Sequence, residues 1–325
     1  MVRYTRTGGE AMAVAVRIAR ASTKKDIILF CGYHGWHDWY LSANLSANSA
    51  LDGHLLPGLK PTGVPRSLRD TSYPFFYNNK QEFLDLIKKY ENKIAGVVLE
   101  AVRNLNPEKT FFDTLRRETE RLDIPLIVDE ISSGFRMNCG GAHLILGLYP
   151  DIAVFAKGIS NGYPMGIVIG KKKYMDAAQD SFISSTYWTE RIGPTATLAT
   201  IKKMKEKNVQ EYIMKIGEKV QEIWISMAEK HGIEIKVSGI YPLSHFEFIQ
   251  SPLILKTLFT QEMLEKGFLA TTSFYPSYAH KTSHINKYIK AVDETFEFIS
   301  LCVRKGEEQK FLKGPVCQSG FKRIS

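Results

Sequence analysis

The 325 residues predict an α/β fold, with a mostly parallel sheet covered by helices and a smaller α+β domain at the C-terminal end. Three observations carry this reading. Short continuous runs rich in Val and Ile alternate with amphipathic helical patterns over the first two-thirds of the chain. After about Lys205 the pattern changes to one long apolar periodicity. With 44% hydrophobic and 24% charged residues, the chain can bury a sizeable core, which excludes a disordered or fibrous protein.

The chain opens on MVRYTRTGGEAMAVAVRIAR and enters a helix over 10–20 with no strand ahead of it. Five runs, at 27–31, 95–99, 125–128, 152–155 and 166–169, read as strands buried on both faces, as in a parallel sheet. Helices are expected between them at 80–90 and 111–121. The stretch 41–79 breaks the rhythm with Pro57, Pro61, Pro65, Pro74 and an LSAN-LSAN duplication; a loop of this length covers or lines something. Farther on, Val209, Tyr212, Ile213, Ile216, Val220, Ile223, Trp224 and Met227 recur at helical spacing up to Gly232, which stops the helix. Residues 233–237 and 245–249 alternate like half-buried strands. Ser251-Pro252 reads as an N-cap followed by proline at the first helical position, and Gly267 closes that helix. A last helix is expected over 283–303. The resulting boundaries are 1–204 for the large domain, 205–305 for the small one and 306–325 for a polar tail.

Composition narrows the function. The net charge of +9 is diffuse, and clusters such as Lys171-Lys172-Lys173 form no long stripe interleaved with aromatics, so nucleic-acid binding is not expected. Cys31, Cys139, Cys302 and Cys317 stand far apart, which suits a reducing cytoplasm. There is no signal-peptide pattern and no run of ~18 apolar residues, so a cytoplasmic protein without a membrane span is expected.

Three places could carry chemistry. Thr7-Gly8-Gly9-Glu10 fits a capping box, and its glycines leave the first helical amides open to an anion such as phosphate; a plain capped helix start fits equally well. Asp129 and Glu130 end the apolar run Leu126-Ile127-Val128, where functional groups of open α/β sheets gather. Such carboxylates must cap a loop or hold a positive partner, a metal being the rival. Lys157 ends the run Ile152-Ala153-Val154-Phe155-Ala156. A lysine there is either a nucleophile with lowered proton affinity or a surface residue. His34, His37 and Asp38 invite a metal reading too, but no metal is expected, because Tyr33-His34-Gly35 has a more consistent place below.

In order, TGGEAM, GYHGWHD, VVLEAVRN, LIVDEISSGFR, FAKGISNGYPMG and STYWTERIGPTATLATI resemble the class III pyridoxal-phosphate aminotransferases, which include glutamate-1-semialdehyde 2,1-aminomutase. The resemblance is strong to about Ile201 and looser in KGFLA, YAH and INKYIKAVDETF. It implies fold type I and pyridoxal 5'-phosphate as cofactor, held by Lys157 through a Schiff base, with Lys157 then moving the substrate's α-proton. Asp129 is implied to pair with the pyridinium nitrogen. Tyr33, with His34 beside it, and Ile131 are implied to cover the two ring faces. Thr7, Gly8 and Gly9 are placed at the phosphate, and Glu100 and Asn104 near the phenolic oxygen. Thr186, or Thr189 in a competing alignment, would reach the phosphate in a neighbouring subunit, which implies a homodimer with shared sites. The substrate is then a small amino or keto compound.

The sequence also departs from that pattern. Glu100-Ala101 stands for the family's Glu-Pro, and Ser132-Ser133 for the aminomutases' Met-Thr. Arg136 matches the motif as either an ion-pair partner or a substrate residue. Family members carry a long segment before the glycine block, so an N-terminally short form is expected, either an aminomutase, an intermolecular transaminase on a sugar or amino acid, or a catalytically silent relative.

Overall fold

The computed structural model describes residues 1–47 and 49–320. Contacts divide the chain into two units, Met1–Lys207 and Asn208–Ser325.

The first unit is built on a seven-stranded sheet. Its strands are β1 (Val2–Thr5), β2 (Ile27–Cys31), β3 (Ser72–Pro74), β4 (Ile94–Glu100), β5 (Leu126–Asp129), β6 (Ile152–Phe155) and β7 (Gly166–Gly170). The order is β1-β7-β6-β5-β4-β2-β3, and β7 alone runs against the rest. Every residue of β2, β4, β5 and β6 is buried. This is why these strands read as unbroken apolar runs rather than alternating ones. Helices are α1 (Gly8–Thr23), the one-turn α2 (Asp38–Leu41) and α3 (Ala43–Ser46), α4 (Lys80–Tyr90), α5 (Lys109–Arg121), the one-turn α6 (His143–Leu146) and α7 (Lys172–Met175), and α8 (Ile192–Lys207). Small residues on α1, among them Ala11, Ala15 and Ala19, lie in one core with Ile28, Phe30, Val98, Ile127 and Val154 of the sheet. The absence of bulk lets the helix backbone approach closely. Phe30, fully buried and ringed by His34, Trp39, Tyr40 and His54, is the kind of residue whose truncation costs ~3–5 kcal/mol.

Three expectations change here. The opening residues are not without a strand: β1 pairs with β7 along Val2↔Ile169 to Thr5↔Gly166, and Gly170 accepts from the terminal amine at 2.6 Å. Its half-exposed edge position leaves it no continuous apolar run to announce it. The stretch 41–79 holds α3 and β3 rather than loop alone, with β3 docked beside β2 by long-range pairing that local sequence does not report. α8 is also new; only Gly193, Thr197 and Met204 of it are buried, so it lacks an apolar stripe.

The second unit has α9 (Val209–His231), α10 (Pro252–Glu265) and α11 (Thr282–Lys305) with an antiparallel sheet of β8 (Ile235–Ser238), β9 (Ser244–Phe248) and β10 (Ser273–Phe274). Trp224, Phe246, Phe259 and Phe296 form its centre, and the Trp224 indole donates to the Tyr288 hydroxyl at 2.9 Å. Gly232 ends α9 at φ 66°, as its left-handed role requires. β8 starts later than expected because the Ile233 amide still bonds Ala228 of α9. Ser251 precedes α10 but is no side-chain cap: its backbone is left-handed at φ 44° and its hydroxyl makes no capping bond, leaving Pro252 to set the start.

Candidate active site

β2, β4, β5 and β6 run in parallel, so their carboxyl ends lie along one edge of the sheet. Glu100 and Asp129 are register partners on β4 and β5, and Lys157 follows β6 after Ala156. The topology thus brings together three residues spread over 57 positions of sequence.

Asp129 is buried, and each of its oxygens has a partner. Oδ1 accepts from the Ile131 amide at 2.9 Å and Oδ2 meets His34 Nδ1 at 2.8 Å. The other ring nitrogen, Nε2, faces the Cys31 carbonyl at 3.1 Å. A carbonyl only accepts, so Nε2 carries hydrogen; the Nδ1 contact with a carboxylate oxygen needs a hydrogen as well. His34 therefore fixes the Asp129 carboxyl through a shared proton, and is committed to this contact rather than to a metal. Among the described residues no group of three or more His, Cys, Asp and Glu is arranged to hold a metal ion.

The adjacent Glu130 serves the scaffold. It is fully buried and accepts from the His143 amide and ring at 2.8 Å each and from Ser133 Oγ at 2.6 Å. The two carboxylates at this strand end thus hold different segments: Glu130 ties His143 and Ser133 into one loop, and Asp129 holds His34 and the Ile131 amide.

Glu100 accepts from the Tyr33 amide at 3.2 Å and pairs with Arg103 at 2.8 Å. Burial raises its carboxyl above the ordinary range, against the pull of Arg103. Gly32, at φ 110°, makes the approach possible: a Cβ there would stand 2.7 Å from Glu100 Oε2. Asn104, expected beside Glu100, is exposed and makes no bond to the other residues of the site among those described. Arg103 takes that place instead.

Lys157 is open to solvent and has φ 48°, an uncommon conformation for a lysine. Its amine donates to Ser132 Oγ at 2.8 Å. Desolvation by the surrounding protein, then the Arg103 guanidinium, lowers its pKa, although Asp129 and Glu100 act the other way. The sequence did not single out Arg103, and it noticed Ser132 only as a departure from a motif. Arg136 donates from Nε to the Ser132 carbonyl at 2.6 Å, bracing the same turn.

Thr7 caps α1, accepting from the Glu10 amide at 3.3 Å. Glu10 reaches back to the Arg6 amide at 2.7 Å rather than to that of Thr7, so the expected reciprocal box is displaced by one residue. The Gly8 and Gly9 amides have no acceptor among the described residues. Both glycines leave little room for a side chain: a Cβ on Gly8 would meet Ile131 at 3.0 Å, and one on Gly9 would meet His37 Nδ1 at 2.9 Å. That His37 nitrogen is buried without a partner. The turn is a cradle with free N–H groups and a favourable dipole, suited to an anion.

Tyr33 is half-buried, edge-on to Tyr40 with centroids 5.8 Å apart. Thr186 and Thr189 bound one exposed helical turn and make no hydrogen bond to any of these groups among the described residues. That turn is tied to the glycine turn through Arg6, which reaches the Tyr187 carbonyl and, at 2.8 Å, Glu190. Two orphan amides in a side-chain-free cradle, an amine with lowered proton affinity and a buried carboxyl together suit an aromatic aldehyde bearing a phosphate and a ring nitrogen.

Comparison with known proteins agrees with this geometry. The aminotransferase class-III family profile matches residues 1–296. A glutamate-1-semialdehyde 2,1-aminomutase of Clostridium beijerinckii is 31% identical over 320 residues, spanning 90% of this chain and 73% of its own. The 3-aminobutyryl-CoA aminotransferase of Cloacimonas acidaminovorans is 28% identical over 246 residues, 74% of this chain and 55% of that protein, so the match takes in little more than half of that relative. Among solved structures, the PLP-bound FumI protein of Sphingopyxis sp. MTA144 shares the fold with a TM-score of 0.82 at 23% identity, over 94% of this chain and 72% of its own. The chain belongs to the class III aminotransferases, a pyridoxal-phosphate-dependent enzyme family of fold type I.

Proposed function

We propose that the protein moves an amino group on a small amino or keto substrate, with Lys157 as the cofactor lysine, in the manner of the glutamate-1-semialdehyde aminomutases. The observation that supports this most is the Lys157 amine, reachable from solvent yet with lowered proton affinity, at the same sheet edge as buried Asp129. When bound, pyridoxal phosphate supplies an electron sink for charge developing beside the substrate nitrogen. The residues do the rest. Lys157 Nζ is the nucleophile toward the cofactor aldehyde and, once released, takes and returns the substrate proton. Asp129 Oδ2, oriented by His34, holds a proton at the ring nitrogen. The Gly8 and Gly9 amides, with Thr7 setting their helix start, bind phosphate. Tyr33 and Ile131 cover the ring, and Glu100 orders the Tyr33 backbone.

Thr186 is assigned to the phosphate of a second copy, which makes the working form a homodimer; its exposed turn next to the Arg6 anchor supports this. Asn104, by contrast, gains no support from its exposed position. Among the described residues no helix is long and apolar enough to cross a membrane. A second reading, intermolecular transamination, is favoured by the aminotransferase relative and by Ser132-Ser133 in place of the aminomutase residues.

The first test is the visible spectrum after adding pyridoxal phosphate to the purified protein and to Lys157→Ala. A new band in the former alone is expected; identical spectra overturn the assignment. Incubation with glutamate-1-semialdehyde, with and without added donor and acceptor, then separates the two reactions. Turnover without a second substrate is expected, whereas strict dependence on one selects transamination.

A further inference from the structure

Ser132 Oγ occupies an unusual position. It accepts from Lys157 Nζ at 2.8 Å and from Arg103 Nη2 at 2.5 Å, in a residue only 7% exposed. A hydroxyl has two lone pairs and one hydrogen, so two N–H donors fill its acceptor capacity and fix its rotation. The Ser132 backbone is held as well, by Arg136 on its carbonyl. Arg103 in turn is anchored by Glu100 Oε1 at 2.8 Å, and Glu100 by the Tyr33 amide and the space left at Gly32. A continuous line of contacts therefore runs from the end of β4, across the turn after β5, to the lysine after β6.

Building on the assignment of Lys157 as the cofactor lysine, we propose that Arg103 is a positioning residue for it, pinning Ser132 Oγ as the acceptor on which the Lys157 amine rests. The arrangement places two cationic groups within about 5 Å on one neutral oxygen, where they repel. Arginine does not release its proton, so the lysine is the partner that yields. Arg103 thereby favours the neutral amine that attacks an aldehyde, and Ser132 sets its direction. The lowered proton affinity of Lys157, with Arg103 second to desolvation among its causes, agrees.

The test uses the full chain without cofactor. Lysine amines are dimethylated with 13C-formaldehyde and followed by NMR across pH, with Lys157→Ala identifying the resonance; in parallel, pyridoxal phosphate capture by unmodified protein is timed by absorbance. Arg103→Ala is expected to move the Lys157 titration to higher pH and to slow capture near neutral pH about tenfold, while Arg103→Lys keeps most of the wild-type profile. Ser132→Ala removes an acceptor from the charged amine but leaves the repulsion, so its titration moves the other way, to lower pH. A role confined to packing would lower stability and leave both titrations in place, and superimposable titrations for either variant overturn the proposal. Should Arg103→Ala fail to fold, Arg103→Gln, which removes the charge but keeps an N–H donor toward Ser132, takes its place; an upward shift of the Lys157 titration is expected, and an unmoved one overturns the proposal. Wild-type protein that captures no cofactor would refute the Lys157 assignment instead, while the NMR titration would still report on Arg103.

Discussion

Gly32→Ala tests whether the carboxylate at the end of β4 is held as described. Gly32 sits at φ 110°, outside even the left-handed well that side chains occasionally enter, so the backbone alone costs about 1–3 kcal/mol. The new Cβ would also stand 2.7 Å from Glu100 Oε2 and 3.0 Å from its Cγ. Glu100 cannot swing aside freely, because it is 8% exposed and fixed by Arg103 and the Tyr33 amide. Losing one such charged hydrogen bond adds about 1.5–3 kcal/mol. The expected loss is therefore roughly 2.5–6 kcal/mol, a large part of a typical domain's stability. Urea unfolding followed by far-UV circular dichroism measures it. Repeating the substitution in a Glu100→Ala background separates the two contributions, because only the backbone cost of about 1–3 kcal/mol should remain. A destabilisation below about 1 kcal/mol in the wild-type background, or no coupling with Glu100→Ala, would refute the reasoning.

Other outcomes follow from single contacts. Burial lowers the pKa of His54 to about 4, below its ordinary 6.5, so the unfolded chain binds this proton first. Its contribution to stability is complete above about pH 6.5 and declines as pH falls toward 4, by up to about 3 kcal/mol, and His54→Phe should flatten that limb of a stability-against-pH curve. Gly217→Ala in α9 should destabilise by about 3 kcal/mol despite alanine's better helix propensity, since its Cβ would lie 1.9 Å from the Tyr241 carbonyl oxygen; Trp224 fluorescence during unfolding reads this, and a stabilised variant would contradict it.

Much of the fold was legible because buried parallel strands write themselves as apolar runs. β2 and β6 begin and end where Ile27, Cys31, Ile152 and Phe155 suggest. α4 is equally direct, with Asn79 accepting from the Glu82 amide as its cap. The elements that escaped are those whose stability comes from far away. β1 is held by β7 from the other end of the unit, β3 is three residues long, and α8 buries almost none of its surface. The site divided along the same line. Strand-end residues such as Asp129 and Lys157 stood out against apolar neighbours. Arg103 and Ser132 did not, because an arginine and a serine in a polar turn look ordinary until two strands bring them to one oxygen. The room that Gly32 leaves for Glu100 was likewise invisible, since sequence does not show which side chain a missing Cβ makes way for.

Three buried carboxylates crowd the carboxyl ends of β4 and β5, and burial alone does not say which of them does chemistry. Their partners do. Glu130 has three donors and no exposed surface, so changing its protonation would open the loop it closes. Glu100 is paired with an arginine, which cannot give up its proton, and a proton arriving there would release Arg103 from its anchor. Asp129 and Glu130 each face a histidine, Glu130 through His143 and Asp129 through His34, but only two donors reach Asp129, one to each of its oxygens. Its oxygens also retain lone pairs beyond those given to His34 and Ile131. Asp129 therefore keeps room for one more donor without breaking the bonds it has, which is what its proposed pairing with a bound ring nitrogen needs.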